Sequence, residues 1–233
     1  MTIRLEVVPF VIAVALLFGL LAVIMLWKGI PWQRVFGLCG IPSIVCVAYL
    51  LFFFRDPERI IPLGDDLIVA AADGTVAAIT DIHEGKYLHA DCVRISIFLS
   101  LFDVHVNRSP ISGHSTFLGY FPGKRLFTFQ EKSSDVNQHN KILIVNQQTQ
   151  CLVCQIVGPV CRRVVYWLDH EQSVPVAKGE RIGMMKFGSR LDLYFPKADM
   201  EVIVKTGETV RAGETLVARL RNGKAATTGR VQE

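Results

Sequence analysis

The chain has 233 residues, 51% of them hydrophobic, and 25 Lys and Arg against 21 Asp and Glu. A net charge of +4 without a basic stripe argues against a nucleic-acid binder, and the six scattered cysteines read as reduced and structural. The mean hydropathy of +0.35 is high for a purely soluble protein, and the excess lies at the front of the chain.

Val8 to Trp27 carries no charge, and Val35 to Phe54 repeats the pattern. Each run is long enough to cross a bilayer core. Between them "KGIPWQR" forms a short polar turn, with Trp27 and Trp32 suited to an aromatic belt at an interface. A signal peptide fits less well, because the first run is too long and no A-x-A-like site follows. The reading is an N-terminal hydrophobic helical hairpin over residues 1–56, with both of its ends on one side.

"FRDPERIIPLGDD" closes that segment, because Pro57 and Pro62 interrupt any continuous helix. Short β-rich runs bounded by turns fill most of residues 57–233, and no long helical period appears among them. Gly179-Glu180, Gly207-Glu208 and Gly213-Glu214 form a small repeat of Gly-Glu before an apolar residue. Repeats with Gly at the turn predict a mainly β, barrel-sandwich-like catalytic domain built of hammerhead-type hairpins. The tail from Arg221 onward is polar and expected to fray.

Cys151 and Cys154 make a C-x-x-C, but on a strand residues three apart face opposite sides, so no metal is assigned. Arg55, Arg59, Arg162, Arg163, Lys186 and Arg190 suit an anionic lipid surface, the plainer reading being a solvated mixed-sign surface. A few polar residues interrupt apolar strands. Asp73-Gly74 is a common turn pair. His105 alternates with Val104 and Val106, as a core histidine would, and Asp103 shares its strand face. His139 and His170 read as exposed loop residues. Gly188-Ser189 lies within what reads as one strand, "GMMKFGSRLDLYFP", where Gly signals a bulge, a bend or a close backbone approach.

Taken together, "FFRDPER", "AADGTV", "DVHVNRSPISG", "RRVVYW" and "GERIGMMKFGSRLDLYFP" resemble the short bacterial and archaeal form of the phosphatidylserine decarboxylases. The matches run in family order from about Phe53 to Pro196. The resemblance implies self-cleavage between Gly188 and Ser189 into a large and a small chain that stay associated. Ser189 would become the covalent pyruvoyl group that serves as cofactor, its ketone taking the substrate amine and acting as an electron sink. Gly188 would leave its carbonyl approachable, and backbone strain of order 1–3 kcal/mol would help disfavour the planar amide.

It further implies that Asp73 and His105 assist, His105 donating the proton after decarboxylation and Asp73 acting in cleavage. Longer members carry a second histidine where Arg108 stands here. Arg108 and Arg190 are the candidates for the substrate's carboxylate or phosphate. The implied substrate is phosphatidylserine in the lipid bilayer. The implied location is the inner membrane with the catalytic domain on the cytoplasmic side, and a homo-oligomer is compatible with all of this. Two alternatives stand beside it: a decarboxylase of a related serine lipid such as archaetidylserine, and an anchored barrel-sandwich binding or carrier module whose Gly188-Ser189 is only a bulge.

Overall fold

The computed structural model describes residues 1–159, 164–186 and 188–221. Arg162, Arg163 and the tail beyond Arg221 therefore lie outside the described residues. The chain divides into two units, Met1–Glu58 and Arg59–Glu233, where the prolines had suggested a division at 56/57.

In the first unit α1 (Val8–Trp27) and α2 (Trp32–Phe53) form an antiparallel pair. Pro9 occupies the first turn of α1 and Pro31 precedes α2, both positions where a missing N–H costs nothing. Gly29, at φ +74°, turns the chain between them. Most leucines and isoleucines of α1 remain exposed. Both helices are long and apolar enough to cross a membrane. The open end of the hairpin is tied by Thr2–Ile3 pairing with Arg55–Asp56 and by Arg4 N–H donating to Phe54 O. Both ends of the hairpin therefore lie together.

The second unit is built on an eight-stranded antiparallel sheet. Its strands are β1 (Gly74–Glu84), β2 (Ala90–Leu99), β3 (Gly113–Phe121), β4 (His139–Val145), β5 (Gln150–Val157), β6 (Val174–Val176), β7 (Ser189–Pro196) and β8 (Thr209–Val210). Their spatial order is β6-β3-β4-β5-β7-β2-β1-β8, so the end strands do not meet and the sheet stays open. Two three-stranded sheets accompany it. One centres on Arg181–Met185, flanked by Val106–Arg108 and Val164–Tyr166; the other centres on Leu216–Leu220, flanked by Leu67–Val69 and Met200–Val202. The glycines of the three Gly-Glu pairs all have positive φ and mark turns.

β7 is buried along its whole length because both of its faces are covered. Leu191, Leu193 and Phe195 enter the main core with Ile95, Ile97 and Val153. Arg190, Asp192 and Tyr194 alternate onto the other face. Cys154, Leu152 and Cys92 pack there around Tyr194, while Cys151 belongs to the main core. The segment between β3 and β4, which includes the short helix α3 (Ser133–Val136), is anchored to this outer face. Arg94 of β2 bonds Glu131 at 3.1 Å and Asp135 at 3.5 Å.

Candidate active site

The stretch from Gly183 to Pro196 does not form one strand. Arg181–Met185 belongs to the small sheet and β7 to the large one, so the chain changes sheets between Met185 and Ser189. Gly188 makes the change with φ +66°. Glycine adopts this left-handed conformation without steric cost, so this φ carries none of the expected strain.

Ser189 is the first residue of β7. It pairs with Leu99 of β2 on one side and Val157 of β5 on the other. The residue is fully buried, and its Oγ has no hydrogen-bond partner among the described residues. A buried hydroxyl left in this state is uncommon, because leaving it unbonded costs about 1–3 kcal/mol. Its neighbour's carbonyl is closely approached from one side. A methyl group built on Gly158 would lie 3.0 Å from Gly188 O and 3.3 Å from the Thr128 methyl.

His105 is fully buried. Its Nδ1 lies 2.9 Å from the backbone oxygen of Asp103, a contact that orients the ring when Nδ1 carries the proton. The carboxylate of Asp103 turns elsewhere, accepting from Ser100 N–H at 2.8 Å and Ser100 Oγ at 2.7 Å. The orienting group is therefore the Asp103 main chain and not its side chain. His105 O accepts from Met185 N–H, which fixes the histidine to the strand that leads into Gly188.

Asp73 lies just before β1. The next position, at φ +148°, takes glycine because any Cβ there would lie 2.1 Å from Phe98 O. Asp73 Oδ1 accepts from Ala212 N–H at 2.8 Å and Oδ2 from Arg59 at 2.6 Å. Burial raises the Asp73 pKa above the ordinary carboxylate range, although the Ala212 N–H and Arg59 pull it down and Asp103 adds a push upward. Arg59 also bonds Glu214 at 3.1 Å. Arg59 is thus the centre of an ion-pair cluster, and its partner Asp73 lies within electrostatic range of Asp103.

Arg108 is buried and donates to Gly179 O at 2.9 Å, while its N–H donates to Ala71 O. Arg190 is 1% exposed, and its Nε lies 3.0 Å from Asp192 Oδ1 on the face opposite to Leu191. Neither Arg59 nor Arg190 is available to a lipid surface, contrary to the reading of these arginines as a basic patch. His139 is corrected as well: it opens β4, stacks on Phe121 at 5.3 Å and is half-buried. His170 is exposed, as expected.

The structure adds residues that the motifs did not mark. Gly158 lies against the Gly188 carbonyl, and Thr128 packs beside Gly158. Gln155 Nε2 donates to Asn107 Oδ1 at 2.8 Å, a fully buried polar contact between β5 and the strand that follows His105. The signal for Gln155 was its place as the lone amide within the apolar run "CLVCQIV".

A family model described as phosphatidylserine decarboxylase matches residues 47–218. The chain belongs to this family. The phosphatidylserine decarboxylase proenzyme of Carboxydothermus hydrogenoformans is 40% identical over 182 residues, 78% of this chain and 84% of its own length. That of Syntrophus aciditrophicus is 39% identical over 211 residues, 90% of this chain and 93% of its own. That of Chlorobium phaeobacteroides is 41% identical over 177 residues, 76% and 82% respectively. Phosphatidylserine decarboxylases are carboxy-lyases, and the match spans β1 to β8 with every residue of the Gly188-Ser189 neighbourhood described above.

Proposed function

We propose that the chain matures by self-cleavage at Gly188-Ser189 and then decarboxylates phosphatidylserine to phosphatidylethanolamine. The observation that carries this reading is the left-handed Gly188 followed by a buried Ser189 hydroxyl without a partner among the described residues, at a change of sheets. Relatives are named proenzymes of phosphatidylserine decarboxylase, which supports both steps.

In the first step Ser189 Oγ attacks the Gly188 carbonyl carbon and its proton passes to a base. The C–N bond breaks as the amide becomes an ester, leaving Ser189 N as an amine. Loss of the Ser189 α-proton then expels Gly188 as a carboxylate and leaves dehydroalanine, which tautomerises and hydrolyses to a pyruvoyl terminus and ammonia. The small chain remains bound because β7 hydrogen-bonds β2 and β5 of the large chain on both edges.

The residues present suit such a group: the buried Ser189 position is walled by Leu99 and Val157, and Gly188 has room around it. When formed, the pyruvoyl group supplies an electrophilic ketone beside an amide carbonyl, an electron sink for the pair left by carbon dioxide. His105, its ring held through Nδ1, is assigned the proton that passes from Nε2 to the former α-carbon. Asp73 assists cleavage through its charge, held beside Arg59. Arg108 and Arg190 are assigned to the substrate's anionic groups, each needing first to release its present partner, Gly179 O or Asp192.

The two apolar helices are compatible with association with a membrane. Tethering would keep the catalytic unit at the surface where a diacyl substrate resides, which the resemblance places on the cytoplasmic side.

Intact mass under denaturing conditions tests the reading. Wild-type protein should give two fragments split between 188 and 189, the smaller blocked to Edman degradation. Ser189→Ala should give one chain. A single uncleaved wild-type chain in a folded preparation would overturn the mechanism and favour the carrier module.

A further inference from the structure

We infer that Phe127 and Phe129 form a tip that inserts into an anionic lipid surface beside the Gly188-Ser189 junction; the inference rests on the decarboxylase reading and extends it to how the catalytic unit meets its lipid. The two rings are stacked at 5.5 Å and 19°, yet are 56% and 64% exposed. Thr128 between them is buried against Gly158, the residue that backs the Gly188 carbonyl.

This exposure is built into the backbone. The Asn137 side chain accepts from Leu126 N–H at 2.9 Å and donates to Leu126 O at 2.7 Å and Val157 O at 3.0 Å. Val157 is the partner of Ser189. At the far end of the segment, Glu131 and Asp135 are held by Arg94. A loop pinned at both ends, with its central threonine turned inward, keeps two phenylalanines in water. Solvated aromatic pairs on a fixed scaffold mark an interaction surface.

The charge around the tip selects the partner. Lys124, Arg125 and Lys132 are exposed and have no ion-pair partner among the described residues. Both carboxylates of the same segment are already engaged by Arg94. The rim is therefore basic around an apolar point, which complements an anionic bilayer more than a protein groove. The strand on the other side of Ser189 ends similarly: Leu101 and Phe102, just beyond Leu99, are 46% and 69% exposed. Ser189 is thus flanked by one apolar tip that follows β2 and by another on the β3–β4 segment that Asn137 ties to Val157 of β5.

The test uses the full chain in vesicles, carrying Phe127→Trp with Trp27, Trp32 and Trp167 replaced by Phe. Vesicles are phosphatidylcholine with or without phosphatidylglycerol, containing lipids brominated near the glycerol end of the acyl chains. The added fluorescence should shift to the blue and be quenched, more so with phosphatidylglycerol, and Lys124→Ala/Arg125→Ala should weaken the difference. Unshifted, unquenched emission in both vesicle types would overturn the inference.

A second variant, Phe127→Ser/Phe129→Ser, should still split at Gly188-Ser189. It should lose about tenfold in turnover of phosphatidylserine in vesicles while keeping its rate on dispersed short-chain phosphatidylserine. An equal loss on both substrates would mean a distorted site and would also overturn it. If wild type decarboxylates neither substrate, the decarboxylase reading fails by itself, and the fluorescence alone decides the docking.

Discussion

The carbonyl oxygen of Gly188 lies against the bare α-carbon of Gly158, at a distance where a methyl group would be 3.0 Å away. The far side of that methyl would meet Thr128 at 3.3 Å. The carbonyl must pyramidalise for Ser189 to attack it, and its oxygen must move as it does so. Gly158→Ala should therefore slow self-cleavage about tenfold, equivalent to 1.4 kcal/mol, without preventing folding. Thr128→Ser in the same chain removes one of the two contacts and should restore part of the rate. A time course of fragment formation on denaturing gels checks both, and an unchanged rate in Gly158→Ala would sink the idea.

Gly188 poses the opposite question, because a Cβ there would meet nothing within 4 Å among the described residues. Only the conformation resists substitution. Holding alanine at φ +66° costs about 1–2 kcal/mol, so Gly188→Ala should cleave roughly tenfold more slowly and not stop. Complete loss of cleavage would imply that the missing side chain, and not the backbone, matters at this position.

These two glycines differ in how well the sequence announces them. Gly188 was visible because it breaks an apolar run and is followed by serine. Gly158 is one of 18 glycines, and its role comes from a contact across strands that no spacing encodes. The apolar helical pair was legible from length alone, since uncharged runs of about twenty residues have few other uses. The change of sheets at Gly188 was not, because apolar strands on either side of a glycine look the same whether they continue or diverge. The same limit hid the long-range partner of Arg59, whereas Asp192 stands only two residues from Arg190 on the same strand. A basic residue looks solvated until its carboxylate is found, and Glu214 lies 155 residues from Arg59.

The Arg59–Asp73 pair is nearly buried, with side chains 7% and 12% exposed. Removing one partner leaves a desolvated charge, so Arg59→Met should destabilise the catalytic unit by about 3 kcal/mol. Asp73→Asn added to that variant should recover part of the loss, because the amide can still accept from Ala212 N–H. Denaturant unfolding of the four proteins gives the coupling directly. Additive losses would show that the pair does not act as a unit.

His139 makes the segment that carries Phe127 and Phe129 sensitive to acid. Burial lowers its pKa below the ordinary value of about 6.5, helped by Lys141 and opposed by its contact with Asn137 O and by Asp192. Its Nδ1 lies 2.7 Å from Asn137 O, the main-chain neighbour of the carboxamide that fixes Leu126. Between the lowered folded value and about 6.5 the unfolded chain holds more protons than the folded one, so stability rises with pH in that window. Acidification from neutral pH through it should therefore lower the melting temperature. His139→Gln cannot titrate and should flatten this dependence, and the Leu126 amide should exchange faster on acidification only in wild type, relative to the intrinsic change in exchange rate. Parallel melting curves for the two proteins across the window would show that the imidazole does not gate the segment.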